Sequence, residues 1–347
     1  MFEEDKVGRY HCINRCVRRA FLCGRDPVSG KSYEHRKAWI RDRLEQLAAI
    51  FAVDVLDYAV MSNHFHVILR NRPDVVEQWS DEEVARRWWN LFPQRKDEKG
   101  QAAEPQDHEL QMLMAGGEPL KEIRRRLSHI SWFMRCLAED IARRSNREDQ
   151  VTGRFFQGRF RCQKLLDESA LLACSMYVDL NPVRAEVART PETSRYTSAY
   201  DRIHGRKNSC DKKRRRKSKK RPRRRDSKAP DRWLSPVLLN TRASCQDCVS
   251  WRASNKGFLP LRLDEYLQLL DWTGRQVRNN KRGNIPQHLA PILERLQIAD
   301  ECWSDMVSNF GRWFGNAAGR VESLTAEADR RGRRWVQGIG ASRTAFV

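Results

Sequence analysis

The sequence predicts an α+β fold: an antiparallel sheet with helices on one face, then a basic linker and a small, mainly helical C-terminal domain. Three observations predict it. Segments run strand, helix, strand, strand, helix, strand, helix; their apolar spacing switches between two and three-to-four residues; and no glycine-rich phosphate loop marks a parallel, nucleotide-binding sheet. The 347 residues suffice for two domains, or for one domain with insertions.

Residues 8–16, "GRYHCINRC", read as the first strand. "EHRKAWIRDRLEQLAAIFA" follows as a helix, with Trp39, Ile40, Leu44, Leu47 and Ile50 near helical spacing. "VDVLDYAVMS" and "HFHVILR" are the next two strands, divided by the short polar pair Ser62-Asn63. Residues 74–118 carry 11 acidic against 5 basic residues and two loop-like stretches, so they read as an insertion holding a helix around "EEVARRWWNLF". "LKEIRRRLSHISWFMRCLAEDIARR" spaces Leu127, Ile130, Met134, Leu137 and Ile141 by three and four, as one amphipathic helix. "FFQGRFRCQKL" reads as another strand, and "DESALLACSMYVDLNPVRAEVA" as a helix that Asp167 and Glu168 open and Pro182 stops.

The net charge of +21 is concentrated. Residues 206–232 hold 16 Lys/Arg against 3 Asp/Glu, whereas residues 1–205 hold 34 against 31 and residues 233–347 hold 16 against 11. A run of this kind is a disordered linker (205–232) between a catalytic section (1–204) and the C-terminal section (233–347). It either grips phosphates through counterion release or acts as a solvated tether. No apolar run approaches the roughly 20 residues needed to span a bilayer, and the N-terminus lacks signal-peptide character. A cytoplasmic, nucleoid-associated protein with reduced cysteines is therefore expected. "CQDC" at 245–248 lacks a second pair, and Cys12 and Cys16 would point away from His11 on a strand, so no zinc site is assigned.

The chemistry concentrates in two stretches. In "MSNHFHVILR", His64 and His66 sit two apart on a strand and so project to one side, with Phe65 and Val67 on the other. Paired surface histidines or satisfied core histidines would give the same pattern. In "YVDLNPVRA", Tyr177 and Asn181 are four apart and share a helix face if the helix persists through them. A phenolate is a nucleophile. Two imidazole nitrogens and the Asn181 amide oxygen, with positions left for water and phosphate oxygens, suit Mg²⁺ or Mn²⁺. A packed aromatic and a helix C-cap before Pro182 are the structural alternatives. Arg154, Arg159, Arg161 and Lys164 flank the "FFQGRF" segment as phosphate contacts or as a solvated strand face, and Phe155 and Phe156 suit core packing better than base stacking.

Together, "AVMSNHFH", "RFFQGRFR" and "YVDLNPVRAEV" make residues 8–200 resemble the REP-associated tyrosine transposases and related insertion-sequence transposases of the single-tyrosine HUH endonuclease superfamily. The resemblance implies a ferredoxin/RRM-like palm with His64 and His66 on a central strand, the nucleophile Tyr177 on a neighbouring helix, and Asn181 as third metal ligand. It also implies single-stranded DNA with hairpin ends as substrate and a 5′-phosphotyrosine intermediate. The acidic insertion and the C-terminal section depart from that pattern. For the latter, target-DNA binding is the expectation, with packing or homodimer formation as the alternative. A catalytically silent DNA-binding regulator and an RNA-binding module compete with the enzyme. The intact His64, His66, Tyr177 and Asn181 favour the enzyme, and the sheet lacks the aromatic-rich strand signature of the RNA-binding module.

Overall fold

The computed structural model describes residues 3, 5–17, 22–26, 30–98, 100–115, 118–206, 229–239, 251–279, 293–294, 298–299 and 302–346. Strands β1 (Arg9–Arg15), β2 (Val53–Val60), β3 (His64–Asn71), β4 (Arg161–Leu165) and β5 (Ala317–Ala318) form one sheet in the order β2-β3-β1-β4-β5. The first four pair antiparallel, and β5 joins β4 in parallel, so the class is α+β with a mixed sheet.

Helices cover both faces of the sheet, where a single covered face was expected. The cause lies in the strands. Every residue of β2 is buried, as is every residue of β3 except His64, so neither strand offers a polar face to water. On one side Tyr10, Cys12, Phe65, Val67 and Leu69 pack with Leu44 and Leu47 of helix His35–Ile50 and with Phe133 and Leu137 of helix Ile130–Glu148. On the other, Leu56, Ala59 and Ile68 meet helix Glu168–Asp179, which is apolar nearly all round because the C-terminal section covers its far side.

That C-terminal section does not stand apart. Tyr266, Leu269, Trp303, Val307 and Phe310 share one core with Leu171, Leu172 and Met176. The Ser235 N–H donates to the Val55 carbonyl at 2.9 Å, Arg70 Nη1 donates to the Gly257 carbonyl at 2.8 Å, and β5 extends the sheet itself. Most of the basic run (207–228) and the "CQDC" cysteines fall outside the described residues.

Three local expectations change. The long helix is two, Glu118–Leu127 and Ile130–Glu148, because the His129 side chain caps the second by accepting from the Ser131 N–H at 3.1 Å. The strand expected across "FFQGRFRCQKL" begins only at Arg161. Phe155 and Phe156 are core residues, and Gly158, at φ +147°, interrupts the extended run. Residues 74–118 hold helices Pro73–Val76, Asp81–Leu91 and Asp107–Met114, with Trp89 buried and donating from Nε1 to the Ala103 carbonyl at 2.7 Å. Among the described residues no helix is long and apolar enough to cross a membrane.

A buried polar cluster ties the second face together. Arg202 pairs with Asp57, Tyr266 Oη donates to Asp179 Oδ2 at 2.7 Å, and Ser198 Oγ donates to Asp179 Oδ1 at 2.5 Å. Burial raises the Asp179 carboxyl to about 7; Asp57 adds to this and Arg202 opposes it. Arg202→Met is expected to cost about 3–5 kcal/mol in urea unfolding, because it leaves Asp57 buried without its cation. A loss under about 1 kcal/mol would contradict that account.

Candidate active site

On β3, His64 and His66 stand opposite Arg15 and Ile13 of β1, all on the sheet face that helix Glu168–Asp179 covers. Their rings lie 4.8 Å apart at 74°. His64 Nδ1 is 2.6 Å from Asn63 Oδ1; since that oxygen can only accept, Nδ1 carries the proton and Nε2 keeps its lone pair.

Helix Glu168–Asp179 brings the phenol to these rings. Asp167 caps its start by accepting from the Ala170 N–H at 2.9 Å, as expected of a capping rather than a metal-binding carboxylate. The helix ends at Leu180, and Pro182 enters the first turn of a second, short helix Asn181–Arg184, so the chain keeps nearly helical geometry through Asn181. Tyr177 therefore presents its ring edge-on to His66, centroids 5.6 Å apart at 86°. Asn181 Nδ2 lies 3.1 Å from His66 Nε2. Metal ligation would use the other end of that amide, Oδ1. Tyr177, His64 and Asn181 are partly exposed and His66 is buried, so the cleft opens to solvent at the phenol and closes at the inner imidazole.

Burial sets the electrostatics. It pushes His64 down to about 4, with Arg15 adding to the effect, and pushes His66 well below its ordinary value. Both imidazoles are neutral at neutral pH, the state a metal ligand needs. Burial also raises the Tyr177 phenol; the hydrogen bond from Asn181 and the positive charges of Arg184 and Arg15 oppose that rise. Arg184 lies over the phenol ring, 5.4 Å from its centroid.

The described residues contain no group of three or more His, Cys, Asp or Glu side chains suited to a metal. A divalent ion here would have to use the mixed set of His64 Nε2, His66 Nε2 and the Asn181 amide. Two neutral imidazoles and an amide that already meet in one cleft fit that demand.

The four basic residues expected beside the site separate. Arg154, Arg159 and Arg161 are exposed, and Arg161 lies on the histidine-bearing face, opposite Ile13. Lys164 lies on the other face, opposite Tyr10, and its ammonium is held by Glu3 at 3.1 Å and Glu327 at 3.5 Å. It is engaged by carboxylates rather than offered to phosphate.

Several site residues escaped the sequence reading. His11 of β1 reaches His66, with Nε2 2.9 Å from Nδ1 and the two rings within 15° of coplanar. Its alternation with Tyr10 and Cys12 was a usable signal, but pairing it with His66 needs the strand order. Arg184 stood in the quoted "NPVRA" without being given a role. The C-terminal section supplies a wall: a Cβ on Gly311 would come within 3.1 Å of Tyr177 Oη, and the Phe310 ring lies 6.0 Å from that of Tyr177. Comparison with protein-family models, with curated proteins and with solved structures gives no match.

Proposed function

We propose that the protein is a metal-dependent single-stranded DNA endonuclease and transposase of the single-tyrosine HUH type, cutting and rejoining strands through a 5′-phosphotyrosine. The observation that carries the reading is the convergence of Tyr177, Asn181, His64 and His66 in one solvent-open cleft, although more than a hundred residues separate the histidines from the phenol in the chain.

In this reading Tyr177 Oη attacks a backbone phosphorus in line with the bond to the 3′ oxygen. The new O–P bond forms as the P–O3′ bond breaks, the phenol proton passes to solvent, and the 3′ oxygen leaves as a hydroxyl. Bond energy is retained in the phosphotyrosine, so a second 3′-hydroxyl can reverse the step without a nucleotide triphosphate. Mg²⁺ or Mn²⁺ held by His64, His66 and Asn181 would supply positive charge against the phosphate oxygens. Arg184 and Arg15 add fixed positive charge beside the phenol, and Arg154, Arg159 and Arg161 offer exposed guanidiniums to the flanking backbone.

The test is incubation of the full chain with end-labelled single-stranded hairpin DNA and Mn²⁺, followed by a denaturing gel. A covalent protein–DNA band is expected. Binding of the same DNA without any adduct, across a set of hairpins, would favour a silent regulator instead.

A pH dependence follows. Free tyrosine, with a pKa near 10, is ionised in about one molecule in a thousand at neutral pH, and burial lowers that fraction further. Below the phenol pKa the phenolate fraction rises about tenfold per pH unit. The single-turnover rate with Mg²⁺ is thus expected to climb with a log–log slope near one between about pH 7 and 9. His64, held near 4, contributes no titration in that window. A flat profile would mean that phenol ionisation does not limit the step.

A further inference from the structure

The chain of polar contacts behind His66 ends in the C-terminal section. Gln163 of β4 stands directly opposite His11 of β1 and is buried. Its amide nitrogen donates to two backbone carbonyls of that section, Phe314 at 2.9 Å and Gly315 at 2.8 Å. Both amide protons are thereby used, and the orientation of the group follows from them, since carbonyls accept and never donate. Gln163 Oε1 then points away from the C-terminal section. It is buried with no other hydrogen-bond partner, and the amide supports a proton on His11.

Assigning protons along this line leaves one consistent arrangement. Gln163 Oε1 can only accept, so His11 carries its proton on Nδ1. His11 Nε2 is then a lone pair and must accept at 2.9 Å from His66, which therefore carries its proton on Nδ1. His66 Nε2 is left as a lone pair facing Asn181 and the cleft. Near-coplanar rings suit such a relay. The opposite assignment would leave Gln163 Oε1 buried and facing a second lone pair, a cost of about 1–3 kcal/mol.

We propose that Gln163 and His11 are positioning residues that fix the tautomer of His66, and that the carbonyls of Phe314 and Gly315 make the C-terminal section part of the active site. The inference rests on the proposed function only in naming the metal as what the lone pair is for. Orienting a metal-bound imidazole through its second nitrogen is worth about 10- to 100-fold in metal affinity. The relay also gives the C-terminal section a role distinct from target-DNA binding: without residues 314–315 the Gln163 amide is free to turn, and His66 loses its fixed proton.

The test is long-range ¹H–¹⁵N NMR of the metal-free full chain with ¹⁵N-labelled histidine, near pH 7. His11 and His66 are expected in the Nδ1–H form, each with an unprotonated Nε2. Gln163→Leu keeps the volume and removes the acceptor; it is expected to move His11 and His66 toward the Nε2–H form and to weaken Mn²⁺ binding, read by electron paramagnetic resonance, by about 10- to 100-fold. His66 found as Nε2–H in the unaltered protein would overturn the proposal without any variant having to fold. So would unchanged tautomers and unchanged Mn²⁺ affinity in a folded Gln163→Leu protein. Both forms as expected, with no DNA adduct, would keep the relay and remove the nuclease reading.

Discussion

Tyr177→Phe is expected to eliminate the covalent protein–DNA band while leaving hairpin binding within about twofold of the parent. The substitution removes one oxygen and keeps the ring that packs near Phe310 and His66. Losing the hydrogen bond with Asn181 costs stability on the order of 1 kcal/mol, too little to unfold the chain. Removal of a covalent nucleophile reduces turnover by roughly 10⁴- to 10⁶-fold, so residual adduct near parental level would place the nucleophile elsewhere. Tyr10 and Tyr58 are poor substitutes. Both are fully buried, and burial pushes the first phenol up to about 12 and the second higher still.

The second large effect concerns the histidines, whose replacement separates chemistry from binding. His64→Ala is expected to abolish cleavage in Mg²⁺ or Mn²⁺ and largely to spare DNA affinity, because the partly exposed ring packs against His66 and Asn63 rather than filling the core. His66→Ala should lose cleavage as completely and carry a larger stability cost, since it deletes a buried ring hydrogen-bonded at both nitrogens. Filter binding and adduct formation on the same preparations decide the matter. Equal loss of both functions in His64→Ala would assign the ring to DNA contact or to structure.

Part of this site was legible from spacing alone. Two residues apart on a strand means one face, and four apart through a nearly helical segment means one face, which is enough to pair His64 with His66 and Tyr177 with Asn181. Uniting the two pairs depends on β1, β3 and helix Glu168–Asp179 meeting at one point, a non-local arrangement that no local period encodes. His11 was hidden for that reason: its partner is set by the β1–β3 pairing. Lys164 was a different case. Its distance of three from Arg161 already placed the two on opposite sides of a strand, and its carboxylate partners Glu3 and Glu327 come from the two ends of the chain.

The covering of both sheet faces was also partly written in the sequence. Helix Glu168–Asp179 has buried residues on every side, the pattern of an element enclosed between layers rather than laid over one. Reading the C-terminal section as a separate module obscured what would cover it. The break at Ser128 and His129 is local but unusual, since histidine is not among the favoured N-caps and the apolar spacing runs across the break undisturbed.

The central claim is that one phenol, positioned against one pair of neutral imidazoles, joins covalently to DNA. The most direct test is peptide mapping by mass spectrometry of the adduct formed with Mn²⁺ and single-stranded hairpin DNA after nuclease trimming. The account predicts a single modified peptide, with the nucleotide attached through a 5′ phosphate to Tyr177. Attachment at any other side chain, or through a 3′ phosphate, would contradict it.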